Sequence, residues 1–156
     1  MNQPQKYGQF CWSENVTHNP NSAKTFYAEL FGWTFVDDPM PSGGVYTMFS
    51  KDNQLVSATY QMMSDQTKMN IPPHWSHYVS VEDVKATADK AKTLGATIII
   101  PPFDVKDHGS MTVIQDPTGA VLSLWQPKTF VGYGKFSEQA VGVPCWHELM
   151  TSNTDV

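Results

Sequence analysis

Residues Gln9–Trp33 read QFCWSENVTHNPNSAKTFYAELFGW, and both signals that decide the fold lie in this stretch. Its second half carries a helix with its own start and stop. Asn19 is a capping residue, Pro20 suits a first turn whose N–H needs no partner, and Gly32 accepts the left-handed conformation that ends a helix. Between them Ala23, Phe26, Tyr27, Leu30 and Phe31 recur at helical spacing and make one apolar face. Its first half, Gln9–Val16, reads as a strand. The nonapeptide Cys11–Asn19 then returns near the end of the chain as Cys145–Asn153, with cysteine, tryptophan, glutamate, threonine and asparagine in register. A repeat that reproduces two of the rarest residue types is not expected by chance. The expected organisation is therefore one domain over 1–127, a linker over 128–143, and the first strand of a truncated second copy over 144–156.

Working outward, Trp33–Val36, Val45–Ser50 and Leu55–Gln61 read as three further strands parted by Pro/Gly and Asp-Asn turns. The module 9–61 is thus β-α-β-β-β. The module 74–127 repeats that order: a strand over Trp75–Val81, a helix over Val84–Leu94 stopped by Gly95, and a strand over Thr97–Ile100 broken by Pro101-Pro102. Strands over Met111–Gln115 and Val121–Gln126 follow, around the turn Asp116-Pro117-Thr118-Gly119. Polar Met62–Pro73 links the modules. Lys128–Gly142 reads either as a free linker or as a segment draped over the domain, since Phe130, Tyr133 and Phe136 are not residues a free linker needs.

Composition bounds the function classes. With 156 residues, 40% of them hydrophobic, the chain suits one well-buried core. A net charge of −5 with 10 Lys+Arg and no basic run gives no footprint for nucleic acid or an anionic membrane. The two cysteines sit at equivalent places in the repeat, so each belongs to its own unit, is expected to be a small buried hydrophobe, and is not paired with the other. Met1–Gly8 has no apolar core of a signal peptide, and no apolar run is long enough for a membrane span, so the expected location is cytoplasmic.

Asn19-Pro20 followed by Phe26-Tyr27 and Phe31-Gly32-Trp33, then Val81-Glu82-Asp83-Val84, then Asp116-Pro117-Thr118-Gly119-Ala120 leading to Leu124-Trp125-Gln126-Pro127, make the chain resemble the vicinal oxygen chelate superfamily. That superfamily includes glyoxalase I, bleomycin-resistance proteins and extradiol dioxygenases. The likeness runs from about Gln9 to Pro127, and the Cys-Trp-x-Glu start is most similar to a glyoxalase-like subgroup with two such domains in tandem. It implies an α+β fold in which two βαβββ modules form a curved, cup-shaped mixed sheet with helices on the outer face. It also implies association, as a homo-oligomer or with a second domain of the same kind.

In metal-dependent members, His, Gln or Glu stand on the first and last strands of each module, pointing inward. Carried onto this chain by distance from the caps Asn19 and Asp83 and the turn Gly119, those places are Trp12, Ala58, Ser76 and Ser123. None is a competent ligand for a transition metal, so the expected cofactor is none. A one-residue slip in register would turn His77 inward and reopen a divalent metal; otherwise His77 lies behind the sheet with Val79 and Val81. Strand alternation then gives the cup its lining: Phe10, Trp12 and Glu14; Ser76, Tyr78 and Ser80; Val121, Ser123 and Trp125. Aromatic rings around one carboxylate and several hydroxyls suit a small-molecule pocket. Glu14 is the candidate catalytic base or cation anchor, with Tyr78 assisting; alternatively it is satisfied by Tyr78 or a backbone amide and serves structure. The expected function is a metal-free domain of the bleomycin-resistance kind holding a small aromatic or cationic molecule. The alternative is a lyase, isomerase, hydroxylase or dioxygenase of the same superfamily, metal-dependent or using Glu14, so whether the chain is an enzyme stays open. His18, His74, His108 and the Asp37-Asp38 and Asp104…Asp107 pairs read as solvated loop residues.

Overall fold

A computed structural model of the chain describes residues 6–40, 43–137 and 139–151. In order these form β1 (Phe10–Thr17), α1 (Pro20–Phe31), β2 (Thr34–Pro39), β3 (Val45–Lys51), β4 (Gln54–Gln61), α2 (Ser64–Lys68), β5 (His74–Ser80), α3 (Val84–Thr93), β6 (Thr97–Val105), β7 (Gly109–Gln115) and β8 (Val121–Pro127). Eight strands, with parallel and antiparallel pairings, and three helices make an α+β fold. Two β-α-β-β-β runs are present as expected, and the polar link between them carries the short helix α2.

Two compact units divide the chain. The first comprises Trp12–Ser76 and Tyr133–Cys145. In it β4 pairs in parallel with β1 and antiparallel with β3, which pairs antiparallel with β2. α1 begins as the sequence dictates: the Asn19 side chain accepts from the Ser22 N–H at 3.0 Å, Pro20 fills the first turn, and Gly32 closes the helix at φ 67°. Only part of its apolar face is covered. Tyr27 packs against the buried cluster of Trp33, Phe49 and Val56, whereas Phe26 and Leu30 stay more than half exposed. Burying each such large side chain contributes about 1.5–3 kcal/mol, so Trp33, Phe49 and Val56 anchor the unit. Lys24 on α1 is tied to Asp37 on β2 at 2.8 Å, and Thr47 on β3 donates to the same carboxylate.

Residues Tyr133–Cys145 pack within this first unit. Phe136 and Val143 lie against the Trp33 cluster, and the Trp33 indole donates to the Gly142 carbonyl at 2.7 Å. For Phe136 to Val143 the side chains favour the draped reading over the free linker. An indole N–H and two apolar side chains find partners there that a solvated linker would not give them.

The second unit is built from His77–Gly132 with the chain up to Cys11 and the segment from Trp146. Here β8 pairs in parallel with β5 and antiparallel with β7, and β7 pairs antiparallel with β6. Gly8 and Gln9 hydrogen-bond Ser80 through their backbones. Asp83 caps α3 by accepting from Lys85 and Ala86, and Val84 packs with Val81 and Leu124, joined by Val79, Ile114 and Leu122. One expected boundary is corrected: Pro101-Pro102 do not break the third strand, because β6 runs through them to Val105. β6 pairs within its unit only with β7, so its outer N–H groups are not needed, and two register shifts between Ile98 and Phe103 absorb the prolines.

Among the described residues of 144–156, Pro144–Thr151 carry no strand pairing. His147 stacks on Phe10 with ring centroids 4.1 Å apart, while Trp146, Leu149 and Met150 are exposed. Ser152 and Asn153, the end of the repeated nonapeptide, lie outside the described residues, as do Met1 to Gln5 within the expected domain. Among the described residues no helix is long and apolar enough to cross a membrane.

Candidate functional site

β1 is buried on both faces from Cys11 to Val16, so every side chain there must find a partner. Cys11, fully buried, points its thiol at the Tyr78 carbonyl, and burial pushes that thiol up to about 12. It is a structural cysteine, protonated and inert at neutral pH. Ser13 bonds the Tyr133 hydroxyl, and its carbonyl accepts from Ser57.

On the other face of β1 stand Trp12 and Glu14, as the alternation required. Register carries that face across the first unit: Glu14 pairs with Ala58 and Ala58 with Met48, while in the next row Val16 pairs with Tyr60 and Tyr60 with Tyr46. Glu14 is 7% exposed, and the Tyr46 hydroxyl donates to its Oε1. The Trp12 indole in turn donates to the Tyr46 oxygen at 2.9 Å. Tyr60 stacks on Tyr46 at 5.9 Å, and Tyr133 lies 5.6 Å from Trp12. Burial first, and then the charge on Glu14, pushes the phenols of Tyr46 and Tyr60 above their ordinary value. The result is a carboxylate walled by aromatic rings. Such a group can attract a cation or take a proton.

The structure thus places on Glu14 the hydroxyl of Tyr46, a residue the sequence reading had not singled out, beside the Tyr78 it had named. Tyr78 and Ser80 lie in the second unit, in register with Ser123 and Trp125. Those four share one face of β5 and β8, as alternation expected, and Val121 sits exposed at the start of β8. Ser80 is 1% exposed, and its hydroxyl has no hydrogen-bond partner among the described residues. The Trp125 indole donates to the Phe130 carbonyl at 2.9 Å. Ser76 is half-buried at the edge of the first unit. Phe10 differs from its expected neighbours: its ring meets His77 edge-on at 6.3 Å as well as stacking on His147. Both histidines are held below their ordinary value, His77 by burial and then by His147, and His147 by burial.

The residues to which the resemblance carried the metal positions, Trp12, Ala58, Ser76 and Ser123, present an indole, a methyl and two hydroxyls. Among the described residues no three His, Cys, Asp or Glu side chains converge where they could hold a metal ion. This donor set does not fit a transition metal.

A cleft of about 350 Å³ opens elsewhere, at the start of α3, lined by Asp83, Lys85, Phe103, Asp104 and Lys128 among others. Its polar groups are engaged with one another: Lys128 and Ser110 both bond Asp104, and the Gln126 side chain accepts from the Val84 N–H. The cleft is roomy but offers no desolvated charge, so chemistry favours the Glu14 cluster over volume.

Comparison with known proteins agrees with this fold. The family model of the Glyoxalase/Bleomycin resistance protein/Dioxygenase superfamily matches residues 15–124. The putative glyoxylase CFP32 of Mycobacterium tuberculosis is 38% identical over 146 residues, covering 93% of this chain and 55% of that protein. The anthracycline biosynthesis protein DauV of Streptomyces sp. (strain C5) is 30% identical over 159 residues, covering 94% of this chain and 56% of that protein. The chain spans about half the length of these curated relatives. Among solved structures, the Mn(II)-bound glyoxalase from Novosphingobium aromaticivorans is 14% identical with a TM-score of 0.59, covering 89% of this chain and 45% of that one.

Proposed function

The chain belongs to the Glyoxalase/Bleomycin resistance protein/Dioxygenase superfamily, and from that premise we propose that it works without a metal, holding a small aromatic or cationic organic molecule against Glu14 and the rings around it. The observation that carries the proposal is the Glu14 carboxylate, nearly shut off from water, hydrogen-bonded by Tyr46 and flanked by Trp12 and Tyr60. Aromatic faces attract a cation, and a desolvated carboxylate adds charge complementarity. The absence of metal donors at the four superfamily positions supports a metal-free reading. The name of the anthracycline biosynthesis relative supports an aromatic ligand, since anthracyclines are fused-ring aromatic compounds.

A second reading, catalysis with Glu14 as general base, is favoured by the donated Tyr46 hydrogen bond and by relatives named glyoxylase. The remaining ligand contacts proposed are Phe10, Ser76, Tyr78, Ser80, Val121, Ser123 and Trp125. The repeated nonapeptide and the greater length of the relatives support packing with a second domain of the same kind, and a cytoplasmic setting is proposed with it.

The test pairs elemental analysis with ligand binding. Full chain purified without chelator is expected to carry far less than one equivalent of zinc, manganese, iron or nickel. Phenyltrimethylammonium is expected to raise its melting temperature, and Glu14→Gln to abolish that rise. Stoichiometric metal, or a rise unaffected by the substitution, refutes the proposal.

A further inference from the structure

The Trp12–Tyr46–Glu14 chain has a fixed direction. An indole N–H only donates, so the Tyr46 oxygen must accept from Trp12, and the proton of Tyr46 is thereby turned toward Glu14 Oε1. The phenol cannot easily swing away, because Tyr60 stacks on it at 5.9 Å and an interplanar angle of 27°. Burial and the nearby carboxylate also keep the phenol protonated across the working pH range, so the donor is permanent. A hydrogen bond donated to a carboxylate favours its charged form, and in a desolvated site that bond is worth more than in water. Tyr46 from β3 and Tyr60 from β4 are among the titratable groups that interact with Glu14.

We infer that Tyr46 is a positioning residue of this site: by donating to Glu14 Oε1 it orients the carboxylate and favours its charged form, and so sets a preference for a positively charged ligand over a neutral one of the same shape. The inference rests on the Glu14 reading of the ligand site for its ligand and on the hydrogen-bond chain alone for the role of Tyr46. Trp12 acts through Tyr46 by fixing the direction of its hydroxyl.

The experiment compares the full chain with Tyr46→Phe, titrating phenyltrimethylammonium and its neutral isostere tert-butylbenzene between pH 6 and pH 9. The variant is expected to lose affinity for the cation by about tenfold or more at pH 6, the scale of a lost hydrogen bond to a charged group. The neutral probe is expected to change by less than about twofold. An equal, pH-independent loss for both probes overturns the inference, because a packing role would produce it. The Trp12 indole resonance in a nitrogen–proton correlation spectrum gives a second readout that needs no ligand. In the unsubstituted chain it is expected to shift with the ionisation of Glu14, and in Tyr46→Phe that ionisation is expected at higher pH. An unmoved titration overturns the role of Tyr46 even if a ligand binds. A moved titration in a chain that binds neither probe upholds that role and sinks the ligand reading.

Discussion

Gly132→Ala tests how the segment beyond β8 is held against Cys11. Gly132 has φ +100°, and a Cβ added there falls 2.0 Å from the Cys11 carbonyl oxygen and 2.9 Å from its carbonyl carbon. Two separate costs follow. Forcing a residue with a Cβ into that backbone region costs about 1–3 kcal/mol. The contact is more than an ångström inside van der Waals distance, and Cys11 is a fully buried strand residue that cannot retreat, so overpacking adds about 1–3 kcal/mol. The total, about 2–6 kcal/mol, is a large share of the ~5–15 kcal/mol that holds a typical domain together. Gly119→Ala separates the two costs: its φ is +97°, yet the nearest atom to the added Cβ is Gln115 Nε2 at 4.0 Å, so it bears backbone strain alone. Urea unfolding followed by tryptophan fluorescence is expected to rank the unsubstituted chain above Gly119→Ala and Gly119→Ala above Gly132→Ala, with similar m values. Because Tyr133 follows directly and reaches Trp12 and Ser13, the Gly132 variant should also perturb tryptophan emission before unfolding. Equal losses for the two alanine variants would refute the close approach to Cys11.

Two further outcomes follow from burial and charge. Cys11 is enclosed with its thiol raised to about 12 and Cys145 is exposed, so iodoacetamide at pH 8 is expected to label Cys145 in the native chain and Cys11 only after denaturation; mass spectrometry of peptides reads the result, and native labelling of Cys11 contradicts its place in the core. Because His77 and His147 are held below their ordinary value of 6.5, the folded chain refuses protons that the unfolded chain accepts. Their contribution to stability is full above about pH 6.5 and falls as the pH drops through and below it, so the melting temperature should decline on acidification, and less steeply in His147→Phe, which keeps the stack on Phe10.

Much of the architecture was legible because it rests on local signals. Asn19, Pro20 and Gly32 delimit α1 by the backbone groups each satisfies or lacks, and the Asp83 cap does the same for α3. Two-residue alternation put Trp12 with Glu14, and Tyr78 and Ser80 with Ser123 and Trp125, because a strand leaves each side chain only two directions. Other features depended on distant partners. The prolines of β6 are tolerated because that strand lies outermost in its unit, and a sequence does not state which strand is outermost. Phe136 and Val143 sit in a glycine-containing segment whose composition fits a linker, yet the Trp33 cluster gives them a surface to cover.

The partner of Glu14 shows where the division falls. Asp52 and Asn53, at φ 50° and 60°, form the tight hairpin turn that pairs Lys51 with Gln54 and Ser50 with Leu55. Continued unbroken, that register would set Tyr46 opposite Thr59, on the face away from Glu14. A register shift between Phe49 and Ser50 moves the pairing by one residue, so Tyr46 meets Tyr60 and turns toward the carboxylate. The sequence by itself determined the modules, the helix ends, the superfamily and the facing of Glu14, each through neighbours a few residues apart. Only the tertiary structure decided that Tyr46 reaches it, because a strand's side-chain period is two and one irregular residue reverses every face beyond it.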